Sequence, residues 1–335
     1  MKKKLGGVLR VLVLVIIIGA LVLFARTVNW SETWAAIRQT SPGVLALAAA
    51  VNILSLVLKG VRWWIFLRAI GVSSLWLAMR ATFAGAGLNN ILVAQGGEAA
   101  RVIFVARAAH VPSERVLATL ALERLFEAVG YVILLAAAAT FLSLPASLQR
   151  ARPFALGALV LVIVLLVYLV RHPEKAELPS VTGEGLLHRA KTYGKSFLRT
   201  LTSISSASSF AWSLVISVAV WALQVATYHL TAMAAHFDLP LVGTIAAMLA
   251  VNLGFAVRAT PGNVGVFQMM YAVTAAGFGL SKDDATGVAF LIQAQQILPV
   301  TLIGLLAAPH LIFAKRRKVA RPDNVLPGEP KSPTA

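Results

Sequence analysis

Residues 88–98 read Leu88-Asn89-Asn90-Ile91-Leu92-Val93-Ala94-Gln95-Gly96-Gly97-Glu98. Two Asn, two Gly and an acid interrupt an otherwise apolar run. A second interruption follows in the other half of the chain: Arg258-Ala259-Thr260-Pro261-Gly262-Asn263-Val264-Gly265. Non-helical backbone at membrane depth survives only where it is buried in protein or lines a cavity. The two breaks share a register. Gly97 precedes Ser113 by 16 residues, and Gly265 precedes Ser281 by 16. Each Ser is followed by charged residues and an Ala-containing apolar run, and each is a candidate N-cap. Paired broken helices at corresponding positions point to the central site of a transporter built from two repeated halves.

The composition sets the class of protein around these breaks. The chain has 335 residues, of which 59% are hydrophobic and 13% charged. Soluble domains carry about 25% charged residues. The apolar runs are continuous rather than alternating, which excludes an outer-membrane barrel and predicts an all-α polytopic membrane protein. Apolar segments long enough to form helices are 5–25, 42–58, 74–94, 116–142, 154–170, 210–236, 241–257, 264–280 and 285–313, the last able to tilt or to bend at Pro299. The first follows Lys2–Lys4 without a clear cleavage site and is expected to be retained.

The net charge of +17 comes from 30 Lys and Arg against 13 Asp and Glu. On a membrane protein this excess belongs to cytoplasmic loops and implies no nucleic-acid partner. Lys2–Lys4, Lys59, Arg62 and Arg68, the basic loop 171–209 and Lys315–Lys318 all favour the cytoplasmic side. Nine full spans cannot place both termini there. Residues 74–108 are therefore expected to dip in from the cytoplasm and return, which leaves about eight membrane segments. The halves are expected at about 5–170 and 200–313, followed by a basic, Pro-rich tail over 314–335.

Ionisable residues inside apolar segments are costly and default to a functional reading. Glu123 and Glu127 are four apart on one helix face, and Arg124 can pair with Glu127. Glu98 and Arg101 follow the first break. A structural ion-pair network and a polar cavity solvating a lipid headgroup are both compatible with this set. Arg62-Trp63-Trp64 reads as an interfacial anchor or a substrate contact. Arg258 stands alone in a charge-free stretch, and its planar fork suits a phosphate. Pro261, Gly262 and Gly265 let backbone approach a bound group, and the helix that follows aims its N-terminus at the break. His229 and His236 read as bundle residues or proton relays. With no Cys, no thiolate metal site is possible, and no cofactor is expected. Nucleotide-binding, hydrolase and zinc-protease motifs are absent.

Three stretches resemble the flippase-like membrane domain of lysylphosphatidylglycerol synthases and its stand-alone relatives. They are Arg62-Trp63, then Asn89-Asn90 through Gly97-Glu98 and Arg101 with Leu122-Glu123-Arg124-Leu125-Phe126-Glu127, then Thr260-Pro261-Gly262-Asn263-Val264-Gly265-Val266-Phe267-Gln268. The resemblance runs from about residue 8 to 313. It implies a lipid translocase fold with re-entrant helices and a cavity between two halves. It also implies that Glu98, Arg101, Glu123, Arg124 and the Pro261–Gly265 break belong to the family core. Gln268 stands where some members carry Glu. The chain ends soon after the last apolar segment, so lysyl transfer is not expected. The expected activity is movement of a polar or anionic lipid between leaflets of a prokaryotic inner membrane. A membrane-embedded lipid or polyprenyl-phosphate transferase and a structural subunit of a synthesis complex are the alternatives. Self-association is left open.

Overall fold

The structure is a computed structural model. It describes residues 28–91, 96–141, 207–255 and 263–307, with Arg26 and isolated positions between 153 and 164. The expected first helix, most of 154–170, most of the basic loop 171–209 and the tail 314–335 lie outside the described residues, as do Arg258, Pro261 and Gly262.

Among the described residues the regular structure is helical. A short α1 (Trp30–Arg38) precedes two quartets. The first is α2 (Pro42–Arg68), α3 (Leu75–Ile91), α4 (Gly96–Ala108) and α5 (Ser113–Phe141). The second is α6 (Ala207–Ala234), α7 (Leu241–Gly254), α8 (Val266–Ala276) and α9 (Lys282–Ala307). Their lengths are 27, 17, 13 and 29 residues, then 28, 14, 11 and 26. Three helices, α2, α6 and α9, are long and apolar enough to cross a membrane. At 1.5 Å per residue, α3, α4, α7 and α8 rise only about 17–26 Å, less than the roughly 30 Å hydrocarbon core.

Local signals set the ends. Asn29 caps α1 by accepting from the Ser31 N–H at 3.2 Å. Pro42 opens α2, where its missing N–H is not needed. Ser281 Oγ accepts from the Asp284 N–H at 3.1 Å and caps α9 as expected. Ser113 instead starts α5 itself, and the Pro112 carbonyl accepts from Arg115 and Val116.

Several expectations shift. The second apolar segment does not stop at residue 58: α2 continues through Lys59 and Arg62 to Arg68, because Arg62 and Trp63 are fully buried inside the bundle. They are not an interfacial anchor. Asn89 and Asn90 remain helical, so the first break falls after Ile91 rather than at the Asn pair. The α1 helix, and residues 207–209 of the expected basic loop, are also helical.

α2 and α6 run antiparallel along their whole length. The Ser41 N–H meets the Ala234 carbonyl at 2.7 Å, and Arg62 Nη1 meets Ser217 Oγ at 2.8 Å. α3 and α4 form an antiparallel hairpin: Gly85 faces Gly97 and Arg101, and the Gly97 N–H donates to Asn89 Oδ1 at 2.9 Å. α7 and α8 form another, with Gly254 against Val266 and Met270, and Gly243 against Phe278. Small residues permit these approaches. Within each quartet the helices pack first on second, second on third, third on fourth, and first on fourth. Between quartets, α3 lies on α9 and α7 on α5, while α5 touches α6 and α9 touches α2. The last turn of α3 lies beside Ile297 and Thr301, where Asn90 Nδ2 donates to Thr301 Oγ1 at 3.0 Å. α7 meets α5 where Tyr131 donates to the Leu249 carbonyl at 3.2 Å, near the middle of α5.

Candidate functional site

Between α2, α5, α6 and α9, with the ends of α3 and α7 beside it, lies a cavity of about 850 Å³. Among the described residues, three charged groups line it: Lys59 from α2, and Arg124 and Glu127 from α5. Asn52, Ser55, Gln224 and Gln296 add an uncharged polar wall, and Asn90 and Asn252 enter from the last turns of α3 and α7. Trp221, Tyr228 and Phe255 supply the aromatic part.

The charged wall is the face of a larger network. Glu127 receives Arg124 at 2.5 Å, Lys59 at 3.4 Å and Arg62 at 3.5 Å. Arg124 also pairs with Glu98 on α4. Arg101 on α4 pairs with Glu123 at 2.5 Å and stacks 3.8 Å over the Trp63 ring. Trp63 is fixed in turn by donating to Thr119 Oγ1 at 3.0 Å. So Glu98 and Arg101 each reach across to α5, and Glu123 and Glu127 have separate partners. Among the described residues of this network, four cations face three carboxylates, for a formal excess of +1. Desolvating such groups costs several kcal/mol each unless geometry and pairing compensate.

The uncharged wall is also built. Gln224 Nε2 donates to Ser55 Oγ at 2.7 Å and to Asn52 Oδ1 at 3.3 Å. Gln224 Oε1 accepts from Gln296 at 3.2 Å. This amide chain crosses the cavity from α2 through α6 to α9.

The second hairpin carries a neutral pair at matching helix positions. Glu98 is the third residue of α4, and Gln268 is the third of α8. Arg124 and Gln293 are each the twelfth residue of the long helix that follows. The Glu98–Arg124 ion pair thus has a counterpart in Gln268 Nε2 donating to Gln293 Oε1 at 2.6 Å. Glu127 and Gln296, both fifteenth, line the cavity from opposite helices. Gln268 Oε1 also accepts from the Gly265 N–H at 2.7 Å. One N–H expected to face a ligand at the α8 terminus is therefore already used. Gly265 itself has φ 91°, and Asn263 φ 59°.

Of the residues singled out by sequence, Asn90, Arg124 and Glu127 line the cavity. Arg62, Glu98, Arg101 and Glu123 stand behind it in the ion-pair network, Asn89 holds the first hairpin, and Gly265 and Gln268 hold the second. His229 bonds Thr244 at 3.2 Å, and the exposed His236 ends α6 in a left-handed turn with φ 62°. Sequence reasoning missed Asn52, Ser55, Gln224, Asn252 and Gln296. Their signal was present: isolated amides and hydroxyls inside apolar helices usually bond to other helices.

Fold and site together define a multi-pass helical membrane protein with a half-open, partly polar cavity between helices. A family model described as the lysylphosphatidylglycerol synthase transmembrane region matches residues 9–304, and the chain belongs to that family. The match is consistent with a membrane lipid-related protein. No curated protein matches the chain.

Proposed function

We propose that this chain is a lipid translocase, in which the cavity solvates a polar headgroup while the acyl tails stay in the bilayer. The observation that carries this reading is the 850 Å³ cavity lined by Lys59, Arg124, Glu127 and an amide wall. A headgroup crossing bare hydrocarbon loses its hydrogen bonds to water at a cost of several kcal/mol. Side chains that are already oriented replace that water.

The two quartets are proposed to be inverted repeats. Matched helix lengths support this, and so does the packing map: exchanging the quartets turns each packed pair of their helices into another packed pair. The equivalent helices α2 and α6 run antiparallel, which favours a two-fold axis across them rather than along them. The α3–α4 and α7–α8 hairpins would then re-enter from opposite faces and meet near mid-membrane. With the apolar segments 5–25 and 154–170 as further spans, the count is six crossings and two hairpins. Both termini then lie on the basic, cytoplasmic side of a prokaryotic inner membrane. Rocking one half against the other around the fixed cavity would give alternating access.

The experiment is leaflet-selective quenching of labelled lipid in vesicles containing the purified chain. A protein-dependent loss of protected fluorescence is expected; identical traces with and without protein would remove the transport reading.

A further inference from the structure

The two quartets meet at a matched pair of crossings. α3, second in its quartet, lies on α9, fourth in the other, and α7 lies on α5 in the same relation. The two crossings are built differently. At the first, backbone meets backbone. A Cβ on Gly87 would stand 3.1 Å from Gly304 Cα and 3.3 Å from the Val300 carbonyl oxygen, and one on Gly304 would stand 2.9 Å from Gly87 Cα. Asn90 adds its bond across to Thr301.

At the second crossing, side chains fill the space. Val300 and Gly304 are the nineteenth and twenty-third residues of α9, and the same positions of α5 hold Tyr131 and Leu135. The Tyr131 hydroxyl donates to the Leu249 carbonyl at 3.2 Å, so a phenol ring spans the gap between the helices. Tyr131, Leu134 and Leu135 pack against the cluster that holds Met248, Leu249 and Val251. Asn252 enters the cavity from α7 as Asn90 does from α3, but its Nδ2 donates to the Met248 carbonyl of its own helix at 2.8 Å. Contacts between rigid backbones at a glycine crossing tolerate little sliding. Flexible apolar side chains change rotamer and can follow a helix that shifts. The side-chain crossing also borders the cavity: Ala128 and Asn252 line it, each three residues from Tyr131 or Leu249 on its own helix.

We infer that the α3–α9 crossing is a fixed pivot and that the cavity opens at the α5–α7 crossing, where the bond from Tyr131 to Leu249 is the latch. This rests on the transport reading above and names its moving seam.

The native chain has no Cys, so spin labels on introduced cysteine pairs can measure both crossings in the purified chain in lipid nanodiscs. Ile133→Cys with Leu253→Cys reports the seam, and Ile91→Cys with Leu298→Cys reports the pivot; Ile133 is half-buried and the other three are exposed. The seam pair is expected to show two distances and the pivot pair one narrow distance. Tyr131→Phe should raise the ratio of the longer to the shorter seam distance roughly fivefold, the worth of one neutral hydrogen bond, and leave the pivot distance unchanged. A second measurement needs one cysteine. Leu249→Cys, at a buried position, should react with a maleimide severalfold faster once Tyr131→Phe is added. A single narrow seam distance that Tyr131→Phe does not move overturns the proposal, and so does a pivot pair broader than the seam pair. The same variants in vesicles separate the two claims. A seam that opens without lipid movement removes transport and keeps the pivot and seam; lipid movement across a static seam does the reverse.

Discussion

Gln268 on α8 donates to Gln293 on α9 at 2.6 Å, in the same helix positions that Glu98 and Arg124 occupy in the first quartet. An ion pair and an amide pair thus do one mechanical task, tying the start of a short hairpin helix to the middle of a long one. Gln268→Glu alone should lower stability by roughly 1–3 kcal/mol, because the buried carboxylate gains no cation among the described residues. Adding Gln293→Arg should recover most of it by recreating the first-half pair. Thermal unfolding of the two variants in detergent measures this. A double variant no more stable than the single one would contradict the equivalence of the halves.

The network separates into structural and exposed pairs. Arg101 and Glu123 are both buried, so Glu123→Gln should cost about 3–5 kcal/mol and appear as a large fall in melting temperature. Arg124 has a side chain 47% exposed toward the cavity. Arg124→Gln should shift melting far less than Glu123→Gln while lowering lipid movement at least tenfold. If Arg124→Gln unfolds as readily as Glu123→Gln, the whole network serves helix register instead.

Close backbone approach sets a further expectation. A Cβ on Gly304 would lie 2.5 Å from the Phe83 carbonyl oxygen, and one on Gly97 would run into the Gly85 carbonyl oxygen. Backbone cannot yield as a side-chain end can. Gly97→Ala and Gly304→Ala should each destabilise by about 1–3 kcal/mol, whereas Gly43→Ala, with open space around it, should be neutral. Melting curves of the three variants check this.

Topology can be read from single cysteines, because the native chain has none. Glu114→Cys lies in the first turn of α5, beside the α4–α5 connection, and Asp238→Cys between α6 and α7. An impermeant maleimide on intact cells should label the Asp238→Cys variant and spare the Glu114→Cys variant. The opposite pattern would reverse the orientation, and labelling of both would remove the inverted hairpins.

Much of this architecture is legible in the sequence because hydrocarbon imposes one rule at a time. Long apolar runs become helices, and Gly96-Gly97 marks a break. The charge bias asks for a dip between residues 74 and 108, and α3 and α4 do form a hairpin there. The end of α2 was misjudged because charge reads as exposure, and only tertiary contact reveals Arg62 buried against Ser217 and Glu127. The pairing of Glu98 with Arg124 and Arg101 with Glu123 was hidden for the same reason. Helix spacing places neighbours along one helix but says nothing of the helix across from it. The amide wall was overlooked because single Asn and Gln residues make no motif until folding aligns them.

The central claim is that lipid moves through this cavity, and the most direct measurement fills it. Gln224→Trp places an indole across the space between Ser55 and Gln296. In vesicles with labelled phosphatidylglycerol, the native chain is expected to expose inner-leaflet label to an outside quencher. The Gln224→Trp variant, with an unchanged melting temperature, is expected to match protein-free vesicles. Undiminished lipid movement in that folded variant would show that the lipid takes another path.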